Sequence, residues 1–104
     1  MDAMIDPQPY LLQAVHPDNE PATKTVASTK AVKVYFINNR TAPVHIYWLD
    51  TNGKRVSYGT VAGNGGTKEQ GTYLTNPWIV TDEGTGKALA IYHPGPRDGR
   101  AILL

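Results

Sequence analysis

From about residue 31 onward apolar and polar positions alternate, and a period of two is the period of a β-strand. Val32, Val34 and Phe36 share one face of such a strand, and Val44, Ile46 and Trp48 share one face of the next. Turn-forming clusters punctuate the pattern: Asn38-Asn39-Arg40-Thr41, Asn52-Gly53, Gly63-Asn64-Gly65-Gly66, Thr75-Asn76-Pro77, Asp82 to Gly86, Pro94-Gly95-Pro96 and Asp98-Gly99. They recur every ~8–12 residues, the spacing of a sandwich. Asn52-Gly53 is the strongest hairpin signal, because both residues tolerate the positive φ of a type I′ turn, here joining Tyr47-Trp48-Leu49 to Val56-Ser57-Tyr58. No window sustains a helical stripe. The pattern predicts an all-β, antiparallel sandwich of about seven strands, seven to eight at most. The strands run over roughly 35–83, with a closing pair formed by Ala88 to His93 and Arg100 to Leu104.

Composition divides the chain near residue 30. Residues 1–30 hold four of the eight Pro and no Gly, with a net charge of −2, whereas all ten Gly lie beyond them. Residues 1–30 therefore read as an N-terminal arm, partly extended or disordered, and 31–104 as the domain. Within the arm only Tyr10 to Val15 is apolar enough to dock, as an extra strand or one helical turn, with a mobile tail the alternative for the remainder. Residues 1 to about 27 are otherwise expected to be dispensable for folding.

At 104 residues there is room for one core. Apolar residues at 40% and charged residues at 18% indicate a globular domain. A net charge of +1 argues against a nucleic-acid or membrane surface as partner. The absence of Cys removes disulfides, thiol catalysis and zinc or iron-sulfur ligation by thiolates. The start has no secretory pattern, so a cytoplasmic location is expected if Met1 is native.

Little catalytic or metal chemistry is legible. His16, His45 and His93 are scattered, with no pair at metal-ligand spacing. Asp50-Thr51-Asn52-Gly53 lacks the later ligands of a calcium loop and reads as a turn. Gly63 to Lys68 resembles a phosphate loop only in its glycines, since the order is Thr-Lys and no helix follows, so it reads as a strand connection. Asn39-Arg40-Thr41 is formally a glycosylation acceptor and reads better as a turn. Asp82 and Glu83 would point to opposite faces of a strand, a poor acid and base pair. No catalysis, cofactor or metal is expected. What stands out is the aromatic set Tyr47, Trp48, Tyr58, Tyr73 and Trp78, of which most would be core or cross-strand pairs in any small β domain. Several of these rings nevertheless gather near strand ends, with Tyr73 and Trp78 flanking Thr75-Asn76-Pro77.

Asn39-Arg40-Thr41, Trp48-Leu49-Asp50, Asn52-Gly53, Tyr58-Gly59-Thr60-Val61, Thr72-Tyr73 and Trp78-Ile79-Val80-Thr81-Asp82 stand in the order of the von Hippel-Lindau tumour suppressor β-domain family. Their spacing is also close to the family's, and the chain resembles it over residues 32–96. The resemblance implies an antiparallel β-sandwich of seven strands and binding of a peptide that carries 4-hydroxyproline. It also implies site residues. Trp48 is similar to the pocket-floor Trp, Tyr58 to the Tyr that meets the prolyl carbonyl, and Trp78 to a second wall. Thr72 falls where the family has a hydroxyl facing the ring hydroxyl, and Tyr73 follows as a peptide contact. Asn76 stands where the human member has a His on the ring hydroxyl, and Gly71 where it has a His beside the peptide backbone.

The resemblance thus implies a non-catalytic module that binds a proline-type or hydroxyproline-containing peptide on an aromatic pocket. The human member's separate helical domain, which recruits a ubiquitin ligase, has no counterpart in the matched motifs, so degradation is not expected to carry over. A structural or homo-oligomeric assembly domain and an aromatic carbohydrate-binding module are the alternatives. The oligomeric state is open, with a monomer favoured.

Overall fold

The alternation at residues 31–38 produces strand β2 (Ala31–Asn38), which turns Val32, Val34, Phe36 and Asn38 inward and leaves the residues between them exposed or half-buried. The computed structural model describes residues 10–104 and contains seven further strands. These are β1 (Tyr10–Leu11), β3 (Val44–Leu49), β4 (Arg55–Val61), β5 (Gly66–Tyr73), β6 (Trp78–Asp82), β7 (Ala88–Tyr92) and β8 (Gly99–Leu103). They form two four-stranded sheets, ordered β1-β8-β2-β5 and β4-β3-β6-β7. Val34, Phe36, Ala101 and Leu103 of the first sheet meet Val44, Ile46, Val61, Trp78, Val80 and Tyr92 of the second in one buried core. No helix among the described residues is long and apolar enough to cross a membrane.

The all-β sandwich is as expected, but its closing strands are not. β7 pairs with β6, while β8 lies in the other sheet between β1 and β2 and runs parallel to both, so the sandwich is not wholly antiparallel. The reason lies in Pro94-Gly95-Pro96 between them. Proline has no amide N–H to give to a ladder, and two of them prevent a tight hairpin and send the chain across to the opposite sheet.

The Asn52-Gly53 turn joins β3 to β4 by a different geometry from the one its sequence signals. The N–H of Asp50 reaches Lys54 O at 2.9 Å and the N–H of Gly53 reaches Asp50 O at 2.9 Å, which makes a connection through residues 51–53. Gly53 has φ +76° but Asn52 is not in the left-handed region, so the turn is not type I′. The Asp50 carboxylate selects this form by accepting the N–H groups of Asn52 and Lys54 at 2.8 and 2.9 Å.

From Tyr10 onward the arm lies against the sandwich, and what is expected of residues 1–9 falls outside the described residues. Tyr10 and Leu11 dock as an extra strand, one of the two modes anticipated, and Leu12 enters the core. Val15 bridges Ile91 and packs with Leu49, Ile79 and Ile91 on the outer face of the second sheet. That cover helps bury Ile79 on the outer face of β6, a strand whose five residues are all buried where a one-sided strand would alternate. A short 3-10 helix (Pro17–Ala22) follows, and its Glu20 forms a two-pronged bond with Arg55 of β4 at 2.7 and 2.8 Å. Dispensability of this segment does not agree with its packing. The sequence shows no pattern for it because its contacts are made by isolated side chains, apolar, hydroxyl and carboxylate, with no periodicity to register.

Candidate functional site

A concavity of about 180 Å³ draws on both sheets. Trp48 comes from β3, Tyr58 from β4 and Trp78 from β6. Gly71, Thr72 and Tyr73 come from the end of β5, and Asn76 from the connection that follows. All six residues proposed from the sequence, Trp48, Tyr58, Thr72, Tyr73, Asn76 and Trp78, therefore line one space. Its volume is below the roughly 300–1,000 Å³ of a site for a drug-sized molecule and suits one ring or side chain.

Register sets the aromatic base. Trp48 on β3 is the antiparallel partner of Trp78 on β6. Trp78 is only 2% exposed and sits edge-on to Phe36, with centroids 5.8 Å apart and planes at 64°. Trp48 is half-buried. Trp78 is thus the deeper of the two, the reverse of the floor-and-wall order that the family resemblance implies, because its ring packs into the inter-sheet core between Phe36 and Tyr58.

Tyr58 reaches the site through a β-bulge. His45 pairs with Thr60 but Tyr47 pairs with Ser57, so Tyr58 and Gly59 together oppose Ile46. Gly59 takes φ +93°, a conformation that costs a residue without Cβ little. The bulge lets the Tyr58 ring meet Trp78 edge-on at 5.0 Å and 73° while the residue stays 40% exposed. A lone glycine within a strand pattern is the sequence signal for such a bulge. Tyr73, 46% exposed, forms the opposite rim.

Two polar groups face this space. Thr72 is buried, and its hydroxyl accepts the indole N–H of Trp78 at 3.1 Å. An indole only donates, so Thr72 keeps its own proton to give, and no acceptor for it is present among the described residues. Asn76 is held by its backbone N–H on Tyr73 O at 3.0 Å, and its side-chain amide has no protein partner among the described residues. The site is therefore an aromatic slot with one aliphatic hydroxyl and one amide to offer beside the phenol groups of Tyr58 and Tyr73. It contains no charged side chain.

Thr25 was not anticipated. Its hydroxyl, buried beside the pocket, accepts the Trp48 indole N–H at 2.7 Å and donates to Leu49 O at 2.6 Å. A threonine in a Pro-rich stretch carries no pattern that would single it out.

Other candidates are structurally occupied. His45 stacks on Tyr47 with centroids 4.3 Å apart and is bonded to Glu83 at 2.8 Å and Ser57 at 2.5 Å. Asp82, at the end of β6, pairs with Arg40 at 3.3 Å and accepts the Thr85 N–H at 2.9 Å, which, against the opposing pull of burial, holds its carboxyl below the usual range. Residues 63–65 turn the chain from β4 to β5, with the N–H groups of Asn64 and Gly65 taken by Arg40 O and Asn38 O, each at 2.7 Å. A wider concavity of about 1040 Å³ between the 3-10 helix and β7 has no Trp, Tyr or Phe in its lining. No three His, Asp or Glu side chains among the described residues converge as a metal set.

The chain is thus a small mixed β-sandwich domain with an aromatic slot made jointly by its two sheets. The model of the VHL beta domain matches residues 23–94, and the chain belongs to that family. The family is one of non-enzymatic domains that bind hydroxyproline-containing peptides. Among curated proteins none matches the chain.

Proposed function

We propose that this domain is a non-catalytic reader that takes a proline-type residue of an extended peptide, 4-hydroxyproline in preference to proline, into the slot between Trp48, Tyr58 and Trp78. The observation that carries the reading is the placement of the Thr72 hydroxyl and the Asn76 amide, both with hydrogen-bonding capacity to spare, inside a space otherwise walled by rings. A pyrrolidine ring is a flat apolar body that stacks on indole and phenol faces, and a proline-containing segment is already extended, so ordering it costs little entropy. The ring hydroxyl pairs with Thr72 and Asn76. Proline leaves those groups unpaired, a difference of about 1–3 kcal/mol for each buried group. Family membership supports the same ligand class.

Titration of the protein with matched hydroxyproline and proline peptides and with simple sugars, followed by Trp fluorescence, tests the reading. Saturable quenching by the hydroxyproline peptide, at least tenfold tighter than by its proline counterpart, is expected if one such hydrogen-bonded pair discriminates, at about 1.4 kcal/mol per decade. Equal binding of the two peptides removes the preference, and a response only to sugars replaces the peptide reading with the carbohydrate one.

A further inference from the structure

We infer that Thr25 is a positioning residue for Trp48, and that the segment around it holds together the two loops from which the pocket is hung. The inference rests on the peptide-binding reading above for its effect on affinity, but not for its structural core.

The Thr25 hydroxyl lies between two groups that each accept or donate only one way. It takes the Trp48 indole N–H at 2.7 Å and gives its own proton to Leu49 O at 2.6 Å, so both bonds have a fixed direction. The indole of a half-buried Trp can swing about its side-chain torsions to any acceptor within reach, water included. A buried hydroxyl that is itself anchored leaves one orientation. Thr25 is 7% exposed, so water does not compete for the bond.

The backbone on either side extends the restraint. The N–H of Thr25 bonds to Asp50 O at 3.0 Å, at the start of the β3–β4 turn, and the N–H of Val26 bonds to Thr75 O at 3.4 Å. The Thr75 hydroxyl returns a bond to Val26 O. Asp50 follows Trp48 by two residues and Thr75 precedes Asn76 by one. Residues 25 and 26 therefore tie the loop beyond one ring wall to the loop that carries the amide. The end of β3 already meets the second loop through the Leu49 N–H on Pro77 O at 3.0 Å, so residues 25 and 26 add a second tie on the side of the Thr25 hydroxyl.

The test uses the full chain with Thr25→Val, which keeps the shape and removes both bonds, and Thr25→Ser, which restores the hydroxyl. With two Trp in the chain, proton-nitrogen correlation spectra contain two indole signals, assigned through Trp48→Phe. In Thr25→Val the Trp48 indole signal is expected to move and to exchange faster with solvent while that of Trp78 stays. Affinity for the hydroxyproline peptide is expected to fall roughly tenfold, the scale of one lost hydrogen bond. Thr25→Ser is expected to return both to wild-type behaviour. An unmoved Trp48 signal overturns the inference, as does unchanged affinity in a variant that has only lost thermal stability. If the wild type binds no prolyl peptide, the functional reading fails, and the indole signals still decide whether Thr25 orients Trp48.

Discussion

The indole N–H of Trp78 is bonded to the hydroxyl of Thr72 at 3.1 Å, so the threonine hydroxyl that lines the pocket also satisfies a buried donor of the core. Trp78 is buried against Phe36, and Thr72 is the partner of its N–H among the described residues. Removing the Thr72 hydroxyl therefore affects both folding and recognition. Thr72→Val is expected to lose about 1–3 kcal/mol of stability, the cost of a buried donor without an acceptor, and to lower the preference for hydroxyproline over proline. Thr72→Ser should keep both. Urea unfolding and paired peptide titrations separate the two effects.

The two tryptophans are expected to behave differently. Trp48→Ala should abolish quenching by the hydroxyproline peptide in a protein that still folds, because Trp48 is half-buried at the rim of the core. Trp78→Ala should cost about 3–5 kcal/mol, as for other fully buried aromatics. Circular dichroism melting curves of the two variants distinguish a wall from a core residue, and equal losses would show that burial does not separate their roles.

Gly71 and Asn76 stand at the two positions where the family resemblance implies histidines in the human member. A Cβ at Gly71 meets open space, so Gly71→His is expected to change stability by less than about 0.5 kcal/mol. Asn76→His should preserve or tighten hydroxyproline binding, since Asn76 lines the same space and its amide has no partner among the described residues. Calorimetric titration of each variant gives the answer, and weaker binding by Asn76→His would place that side chain off the ring hydroxyl.

The arm should prove necessary. A chain starting at Lys30 lacks β1, Leu12, Val15, the Glu20–Arg55 pair and Thr25, and is expected to lose several kcal/mol, since burying one Leu is alone worth about 1.5–3 kcal/mol. Denaturant midpoints of the full and shortened chains measure this, and equal midpoints would return the segment to the status of a tail.

Acid should weaken the same clamp. The Arg55 hydrogen bond outweighs burial and lowers the Glu20 carboxyl below its ordinary value of 4.5, and the Thr85 N–H contributes most to lowering Asp82 below 3.8. Folded-state values below the unfolded ones mean that the stabilisation is complete above 4.5 and is lost as pH falls through the lowered values. Melting temperature is therefore expected to decline from about pH 5 towards pH 3, and less steeply in Glu20→Gln. A decline of equal slope in the variant would remove Glu20 from the account.

The sequence by itself determined the strands and the membership of the pocket. A period of two shows in any strand with one buried face, and Val32, Val34 and Phe36 carry it plainly. Trp48, Tyr58, Thr72, Tyr73 and Trp78 were legible because each sits in a short motif that stands in the order of the family the chain resembles, and Asn76 because it falls between two of them. Tertiary structure alone decided how these parts meet. Periodicity states that a strand has an inner face but not which neighbour it pairs with, so the passage of β8 to the other sheet, parallel to β2, has no local signature. The depth of Trp78 follows from its ring meeting Phe36 of the opposite sheet, and the burial of Ile79 on the other face from Val15, whose contact with Ile91 spans most of the chain. Thr25 acquires its role only when the fold sets it beside Trp48 and Leu49, because a single hydroxyl carries no pattern until its hydrogen-bond partners are in place.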